Sequence, residues 1–306
     1  MEKVQLYHIK TISQYHKLMG LPKPEHPLIS LINLADIIQG PLETSFSLVF
    51  DFYGISLKRF SDIKYKYGQQ SNDFDEGILF FMSPNQVMRI DIENAETAKL
   101  DGWILYIHPD FLYGTSLAKG IKKYDFFDYS VNEALLLSHK EEEIVTDILK
   151  NIQREYCSNI DNFSQDVIIR QLDLLLTYSD RYYHRQFLTR KKDNHEILNQ
   201  LEEILKDYFK SDKLTENGIP TVQYVSEKLN ISISYLSRLL KTLTGQSTQQ
   251  HIQNHMIEIA KEKLSNTRLS VSEIAYELGF EYPQSFSKIF KNKTSLTPIE
   301  YRNSYD

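Results

Sequence analysis

The sequence predicts an α+β chain in which a strand-rich domain precedes a helical one. Short apolar runs rich in β-branched and aromatic residues fill positions 28–112, and such runs are typical of an antiparallel sandwich or barrel. Further along, apolar residues recur at helical spacing. The chain has 306 residues, which is more than one hydrophobic core usually serves. We therefore expect a β-rich regulatory domain at 1–130, a helical pair at 131–190 and an all-helical domain at 191–306.

Three segments carry the strongest strand signals. SFSLVFDFYGISLKRF, at 45–60, is apolar along most of its length and is broken at Gly54. ILFFM, at 78–82, precedes the turn-like SPNQ and a further strand, VMRIDI. DGWILYIHPDFL predicts a strand that ends where His108 precedes Pro109.

Two amphipathic segments follow the strands. EEEIVTDILKNIQREY has one apolar stripe and begins with glutamates that suit the helix dipole. SQDVIIRQLDLLLTYSDRYYHRQF repeats the stripe more densely. The pair has two interpretations, a dimer interface or internal packing against the strands. The polar segment TRKKDNHE, at 189–196, is the predicted linker because it lacks periodicity. The stripes are Ile144, Val145, Ile148, Leu149 and Ile152 in the first segment, and Val167, Ile168, Leu172, Leu175 and Leu176 in the second.

The last third contains a duplicated unit. Six positions of the first copy correspond in chemistry to positions 49 residues later, and six more correspond at a spacing of 50 after one inserted residue. Twelve such pairs are hard to produce by chance. The first copy contributes Val222, Val225, Ser226, Leu229, Asn230, Ile231, Leu236, Ser237, Arg238, Leu239, Leu240 and Lys241; the second contributes Val271, Ile274, Ala275, Leu278, Gly279, Phe280, Phe286, Ser287, Lys288, Ile289, Phe290 and Lys291.

Each copy predicts a helix, a tight turn and a second helix. Ser226 or Ala275 supplies a small residue where the helices must approach closely, and Asn230 or Gly279 suits the left-handed conformation that ends the first helix. This layout is that of a helix-turn-helix, whose second helix enters the major groove of DNA. If only one copy were present, a helical hairpin with a solvated basic face would explain the sequence about as well. Two copies with the small residue, the turn residue and the cation in register favour DNA binding.

The two units, at about 221–243 and 271–293, are joined by a segment that predicts one continuous helix. STQQHIQNHMIEIAKEKLSN places Ile252, Met256, Ile259, Ala260 and Leu264 on its inner face. A helix of about 19 residues spans roughly 28 Å. Successive major grooves on one face of the duplex are about 34 Å apart. One chain is therefore expected to read two adjacent half-sites.

Charge supports this division. The whole chain carries a formal charge of −6, whereas residues 211–306 hold eleven Lys and Arg against ten Asp and Glu, or +1, which leaves −7 for residues 1–210. The acidity thus belongs to the first part and does not argue against nucleic acid as the partner of the last. The single Cys157 excludes an intramolecular disulfide and a multi-cysteine zinc site. The sequence shows neither a membrane span nor a signal peptide, so a cytoplasmic protein is expected.

The segment SVSEIAYELGFEYPQSFSKIFKNKTSLTPIEYR resembles the signature of the AraC/XylS transcription regulators. It has the Ala-x-x-x-Gly-Phe turn, the Phe-Ser-Lys-x-Phe-Lys recognition helix and the closing Thr-Pro-x-x-Tyr-Arg of that family, and the resemblance covers about residues 195–305. It departs at Ser295, where the family usually has glycine, and at Pro283, where it often has a polar side chain. We expect slight strain at the first position and the loss of a base contact at the second.

The resemblance implies a set of DNA-facing residues. Arg238 and Lys288 are expected to donate to guanine and Gln284 to pair with adenine, whereas the serines serve bases or phosphates. Lysines further along the helices are expected to contact phosphates, among them Lys293. The full set is Ser234, Ser237, Arg238 and Lys241 in the first unit and Gln284, Ser287, Lys288 and Lys291 in the second.

The same resemblance implies a cupin-like first domain that binds a small-molecule effector and precedes helices that dimerise. The effector is unidentified, and so is its site; aromatic residues such as Trp103, Tyr53, Phe80 and Phe81 are candidates to line it or to pack in the core. RNA polymerase is an expected partner if the chain is an activator. The sequence does not distinguish an activator from a repressor.

An enzyme is the competing class, as a cupin-type enzyme or sensor fused to a helical docking module. No His-x-His cluster, cysteine cluster, phosphate loop or nucleophile elbow appears. We therefore expect no catalytic residue, metal or cofactor.

Overall fold

The computed structural model describes residues 5–37, 45–59, 77–91, 101–130, 133–158, 161–211 and 213–304. By its internal contacts the chain divides into two compact units, Met1–Gln186 and Phe187–Asp306. Among the described residues, none of the helices combines the length and the apolar character that crossing a bilayer requires.

The first unit is built on two sheets. Its strands are β1 (Gln5–Ile9), β2 (Ile29–Asn33), β3 (Ser45–Phe50), β4 (Tyr53–Arg59), β5 (Ile78–Met82), β6 (Val87–Asp91), β7 (Asp101–Ile107) and β8 (Leu135–Leu136). One sheet has the order β1-β3-β6 and the other β2-β7-β4-β5-β8. Strands are therefore confirmed within the predicted segments 45–59, 78–82 and 101–107, and residue 60 of the first segment lies outside the described residues. The expectation of a purely antiparallel domain is wrong at one edge, because β1 pairs with β3 in parallel.

The break within 45–60 also differs from the prediction. β3 ends at Phe50 and β4 begins at Tyr53, so Gly54 lies inside a strand. A Cβ atom at Gly54 would lie 3.3 Å from the ring of Tyr106. The missing side chain lets Met82 and Tyr106 on the neighbouring strands pack closely against Gly54, so the glycine favours packing rather than a turn.

An aromatic core lies between the two sheets. Tyr15, Phe50, Phe52 and Tyr106 are nearly or completely buried in one cluster with aliphatic residues from strands of both sheets. The ring centroids of Tyr15 and Tyr106 are 4.7 Å apart, and those of Phe50 and Tyr106 are 5.4 Å apart. Burial raises the pKa of Tyr15 to about 12, because an ionised phenolate would lose its hydration.

The α-helices in the described part of this unit are α1 (Ile12–Leu18), α2 (Pro109–Leu112), α3 (Leu117–Gly120), α4 (His139–Cys157) and α5 (Ser164–Thr189). Most of the predicted stripe of α4 is buried, and the Tyr156 hydroxyl accepts a hydrogen bond from the Leu31 amide at 2.8 Å. The α4 stripe therefore packs internally. Most of the α5 stripe is also buried, but Val167 is 39% exposed.

The predicted linker at 189–196 is wrong. α6 (Lys191–Lys210) begins two residues after α5 ends. Polar side chains make local contacts that favour the second helix: Arg190 pairs with Asp193 at 3.3 Å, and the Asn194 side chain donates to the Phe187 carbonyl. A segment without apolar periodicity is therefore helical here.

The remaining helices of the second unit are α7 (Lys213–Asn217), α8 (Val222–Leu229), α9 (Ile233–Thr244), α10 (Thr248–Asn266), α11 (Val271–Glu277), α12 (Pro283–Thr294) and α13 (Pro298–Asn303). They share one apolar core. α10 is the predicted continuous helix and buries Ile252, Met256, Ala260 and Leu264, with Ile259 only half-buried.

Candidate nucleic-acid interface

The first helix pair, α8 and α9, is shaped by its caps. The Thr221 hydroxyl accepts a hydrogen bond from the Tyr224 amide at 3.1 Å and so starts α8. α8 ends at Asn230, whose φ of 55° and ψ of 40° are left-handed, as predicted. The buried Ser226 hydroxyl donates to the Ile231 carbonyl at 2.5 Å and ties α8 to the turn. The Ser232 hydroxyl then accepts from the Tyr235 amide at 3.2 Å and starts α9.

The second helix pair, α11 and α12, repeats this design with different residues. A capping box between Ser270 and Glu273 starts α11. The hydrogen bond with the Ser270 side chain is the main cause of a lowered Glu273 pKa, and the hydrogen bond with the Ser270 backbone adds to it. The turn is made by Gly279, with φ of 78°, as predicted. A Cβ atom there would lie 2.9 Å from the Gly218 Cα atom, so glycine is required by both conformation and space.

The eight predicted contact residues form one face on each second helix. On α9 they occupy spacings of i, i+3, i+4 and i+7 from Ser234 to Lys241, and on α12 the same spacings from Gln284 to Lys291. Such residues lie one above another on a helix surface. The opposite faces are buried, through Leu236, Leu239 and Leu240 on α9 and Phe286 and Phe290 on α12.

The two faces differ in exposure. Gln284, Lys288 and Lys291 are exposed, whereas Arg238 is half-buried. Lys241 is exposed too, but its ammonium donates to the Gly245 carbonyl at the end of its own helix, at 3.0 Å. The three serines are half-buried: Ser234, Ser237 and Ser287. Lys293 lies off this face, and its ammonium donates to the Asn254 side chain on α10 at 2.9 Å.

Sequence analysis missed one residue beside this face. The Phe187 ring, at the last turn of α5, is 0% exposed, and the Arg238 guanidinium carbon lies over it, 6.0 Å from the ring centroid. The Tyr235 ring contacts Phe187 edge-on at 5.1 Å. No local signal reveals this contact, since about 50 residues separate Phe187 from its partners.

Comparison with known proteins places these helix pairs in a family. A family model described as a helix-turn-helix domain matches residues 225–304. The regulatory protein SoxS of Salmonella typhimurium is 30% identical over 82 residues, which cover 27% of this chain and 77% of SoxS. The solved C-terminal domain of AraT, a response regulator from Geobacillus stearothermophilus, is 31% identical; the match covers 35% of this chain and 84% of that domain, with a TM-score of 0.31.

The chain belongs to the AraC/XylS family of transcription regulators. Relatives of very different length share the matched region. Histidine kinase P4 of Formosa agariphila is 31% identical over 108 residues, and the match spans 8% of that protein. Membership in the AraC/XylS family therefore rests on the last third of the chain.

The closing Thr-Pro-x-x-Tyr-Arg motif of the AraC/XylS pattern ties α13 to the rest of the second unit. Thr297 and Glu300 form a capping box at its start, and the Thr297 backbone amide, which donates to the Glu300 carboxylate, is the main cause of a lowered Glu300 pKa. The Arg302 guanidinium donates to the Leu269 carbonyl at 2.6 Å and to the Leu264 carbonyl at 3.2 Å. The arginine of this motif thus has a structural role.

The two departures from the AraC/XylS pattern differ in their effect on the backbone. Ser295 has φ of 65°, in the left-handed region, whereas Gly245 holds the same place after α9 with φ of 73°. Pro283 is the first residue of α12, where its missing amide leaves no broken helical bond.

Three of the four aromatic residues suggested for an effector pocket make packing contacts. Tyr53 and Phe81 each contact Phe127, with ring centroids 5.2 and 5.4 Å apart. The Phe80 ring lies under the Lys58 ammonium at 5.4 Å. Within the described ranges, no three His, Cys, Asp or Glu side chains converge as a metal site requires. A cleft of about 410 Å³ lies elsewhere in the first unit, lined by His26, Leu28, Asp110, Phe111, Tyr156, Asp161, Asn162, Ser164, Gln165 and Ile168.

Proposed function

We propose that this chain regulates transcription by binding promoter DNA through two helix-turn-helix units, with α9 and α12 in successive major grooves. The observation that carries the proposal is the repetition of one polar face, at identical spacing, on two helices whose opposite faces are buried in a common core. A solvated hairpin has no reason to repeat its turn, its cap and its cation in register. We propose that the chain binds promoter DNA in the cytoplasm.

Each residue of the two faces has a chemical role in this proposal. Arg238 and Lys288 donate to guanine O6 and N7, and Gln284 pairs with adenine. Lys241 and Lys291, one turn further along each helix, contact phosphates. The short serines contact bases or phosphates: Ser234, Ser237 and Ser287.

The test begins with selection of a duplex site from random sequence by the full chain. Arg238→Ala and Lys288→Ala should each weaken binding to that site by about 1 to 3 kcal/mol and relax preference at different base pairs. Lys261→Ala is the control, because this cation pairs with Glu258 on α10, at 2.8 Å. Unchanged affinity and preference in both test variants would refute the assignment. Failure to select any sequence would favour a docking module for acidic partners.

The first unit is proposed to be a cupin-like domain that senses a small molecule. Its two sheets with a shared aromatic core support the fold. The cleft supports the binding role, because its lining combines apolar and polar side chains and its volume is within the range of ligand pockets. A small-molecule screen by thermal shift on the full chain tests it. Ile168→Trp, which narrows the cleft, should abolish any shift that a hit produces.

The chain is further proposed to form homodimers through α5. Three apolar residues on one side of this helix are exposed: Phe163, just before its start, at 71%, Val167 at 39% and Leu174 at 43%. An exposed apolar stripe of this kind is expected at a protein–protein interface. Sedimentation of the full chain at micromolar concentration should show a dimer, and Leu174→Lys should shift it towards monomer. A wild-type monomer would reject this role.

A further inference from the structure

Phe187 lies outside the matched region and yet contacts the first DNA-facing helix. It is 38 residues before the start of the family match at residue 225, on the last turn of α5, and belongs by its contacts to the second unit. Its ring is completely buried, and part of its cover is the guanidinium of Arg238. The Tyr235 ring packs against it at an interplanar angle of 70°.

This geometry suits an arginine that must hold one orientation. A guanidinium is planar and packs over aromatic faces, and its N–H donors lie in its own plane. Bidentate recognition of guanine requires two of these donors in a fixed arrangement. An aromatic surface beneath the guanidinium therefore limits its orientations before DNA arrives, which reduces the ordering cost of binding.

The duplicated unit provides an internal comparison. The position of Arg238 on α9 corresponds to that of Lys288 on α12, which is exposed. The position of Tyr235 corresponds to Ser285, a small exposed residue that has no ring to contribute. An ammonium is a point charge and has no plane to orient. The aromatic pair Phe187 and Tyr235 therefore occurs beside the planar guanidinium of Arg238, and the matching position on α12 has no tyrosine beside the ammonium of Lys288.

We propose that Phe187 is a positioning residue for DNA recognition, which holds the Arg238 guanidinium in the orientation that reads guanine. This rests on the proposed role of Arg238 as a base reader. The buried support of α9 then includes a residue from α5, which lies before the matched helix-turn-helix region.

The experiment measures base preference rather than affinity alone. Fluorescence anisotropy gives the Kd of the full chain for its selected duplex and for every single-base-pair variant of that duplex. The base pair at which Arg238→Ala abolishes preference identifies the position read by Arg238. Phe187→Leu, which keeps the core apolar but removes the ring, should reduce preference at that base pair by about two- to fivefold, the usual size of a cation–π contact. Phe187→Tyr should restore it.

Two further variants separate positioning from general stability. Leu188→Ala is the matched control, because Leu188 is the next residue on the same turn and is 48% exposed. It should leave all preferences unchanged. In the double variant Phe187→Leu/Arg238→Ala, the Phe187 change should add nothing at the Arg238 base pair, because both substitutions remove the same interaction.

Three outcomes would overturn the proposal. Equal weakening at every base pair in Phe187→Leu would show a purely structural role. Equal tightening would show that the contact covers Arg238 and inhibits binding. Full preference at the Arg238 base pair would show that the ring is dispensable. If Arg238→Ala changes no preference, the base-reading assignment fails together with the proposal; if only Phe187→Leu has no effect, the assignment stands and positioning alone is rejected.

Discussion

The residues that end α9 and α12 allow the cost of a left-handed side chain to be measured twice in one protein. Ser295 ends α12 with φ of 65° and ψ of 0°, and Gly245 ends α9 with φ of 73° and ψ of 0°. The conformation is nearly the same, but only one of the two residues carries a Cβ atom. We predict that Ser295→Gly stabilises the end of α12 and that Gly245→Ser destabilises the end of α9.

The expected size follows from two opposing effects. An L-residue in the left-handed region costs roughly 1 to 2 kcal/mol, whereas glycine loses about 0.5 to 1 kcal/mol more chain entropy on folding. Ser295→Gly should therefore gain about 0.5 to 1 kcal/mol. A Cβ atom at Gly245 meets nothing within 4 Å, so Gly245→Ser should lose a similar amount without any clash.

Hydrogen exchange of the full chain measures both changes locally. A gain of about 0.5 to 1 kcal/mol slows exchange roughly two- to fivefold in peptides from 283–304 that open locally, and the converse is expected for 233–250 in Gly245→Ser. Each variant serves as the control for the other, since its unmutated helix end should not change. Faster exchange at 283–304 in Ser295→Gly would refute the reasoning, because it would mean that the serine side chain stabilises the turn.

Three further predictions concern the turn after α11, the core of the first unit and the proposed DNA-binding face. Gly279→Ala should lower the free energy of unfolding by about 2 to 4 kcal/mol, from left-handed strain plus overpacking against Gly218. Gly114→Ala is the control, because Gly114 has the same φ of 78° and nothing lies within 4 Å of a Cβ atom there. Equal losses of stability in the two variants, measured by thermal unfolding, would contradict the role of the Gly218 contact. Because burial raises the pKa of Tyr15 to about 12, its contribution to stability is complete below pH 10 and is lost as pH rises towards 12, at about 1.4 kcal/mol per pH unit; Tyr15→Phe should flatten the fall of the unfolding free energy in that window, and an unchanged slope would contradict it. Lys291→Ala should lower the salt dependence of DNA binding by about one phosphate contact without changing base preference, and altered preference would assign it to a base instead.

The helical part was predictable because its determinants are local. The left-handed turns at Asn230 and Gly279 follow from residue types that tolerate positive φ, and the buried faces follow from apolar spacing. The strained end of α12 was also visible, since serine occupies a position that favours glycine. In each case the neighbouring residues that decide the conformation are close in sequence.

The features that were missed depend on distant partners. Gly54 lies inside β4 because Met82 and Tyr106 approach it from neighbouring strands, and a sequence pattern cannot distinguish this use of glycine from a turn. The parallel pairing of β1 with β3 joins residues 41 positions apart, and side-chain alternation is the same for either strand direction. Helix α6 begins inside a polar segment because side-chain contacts such as that of Asn194 support its first turn.

The two helix pairs have similar core residues and differ on the faces that we propose to contact DNA. Core positions match closely: Leu236 and Leu240 on α9 correspond to Phe286 and Phe290 on α12, and all four are fully buried.

On the outer faces, serine and arginine at positions 234 and 238 correspond to glutamine and lysine at 284 and 288. At the first of these positions glutamine can pair with adenine, whereas serine can serve bases or phosphates, so we expect the two helices to make different base contacts. A site bound by one chain should therefore consist of two unlike half-sites. Exchanging the two half-sites in a selected duplex should weaken binding, even though every base of both is retained.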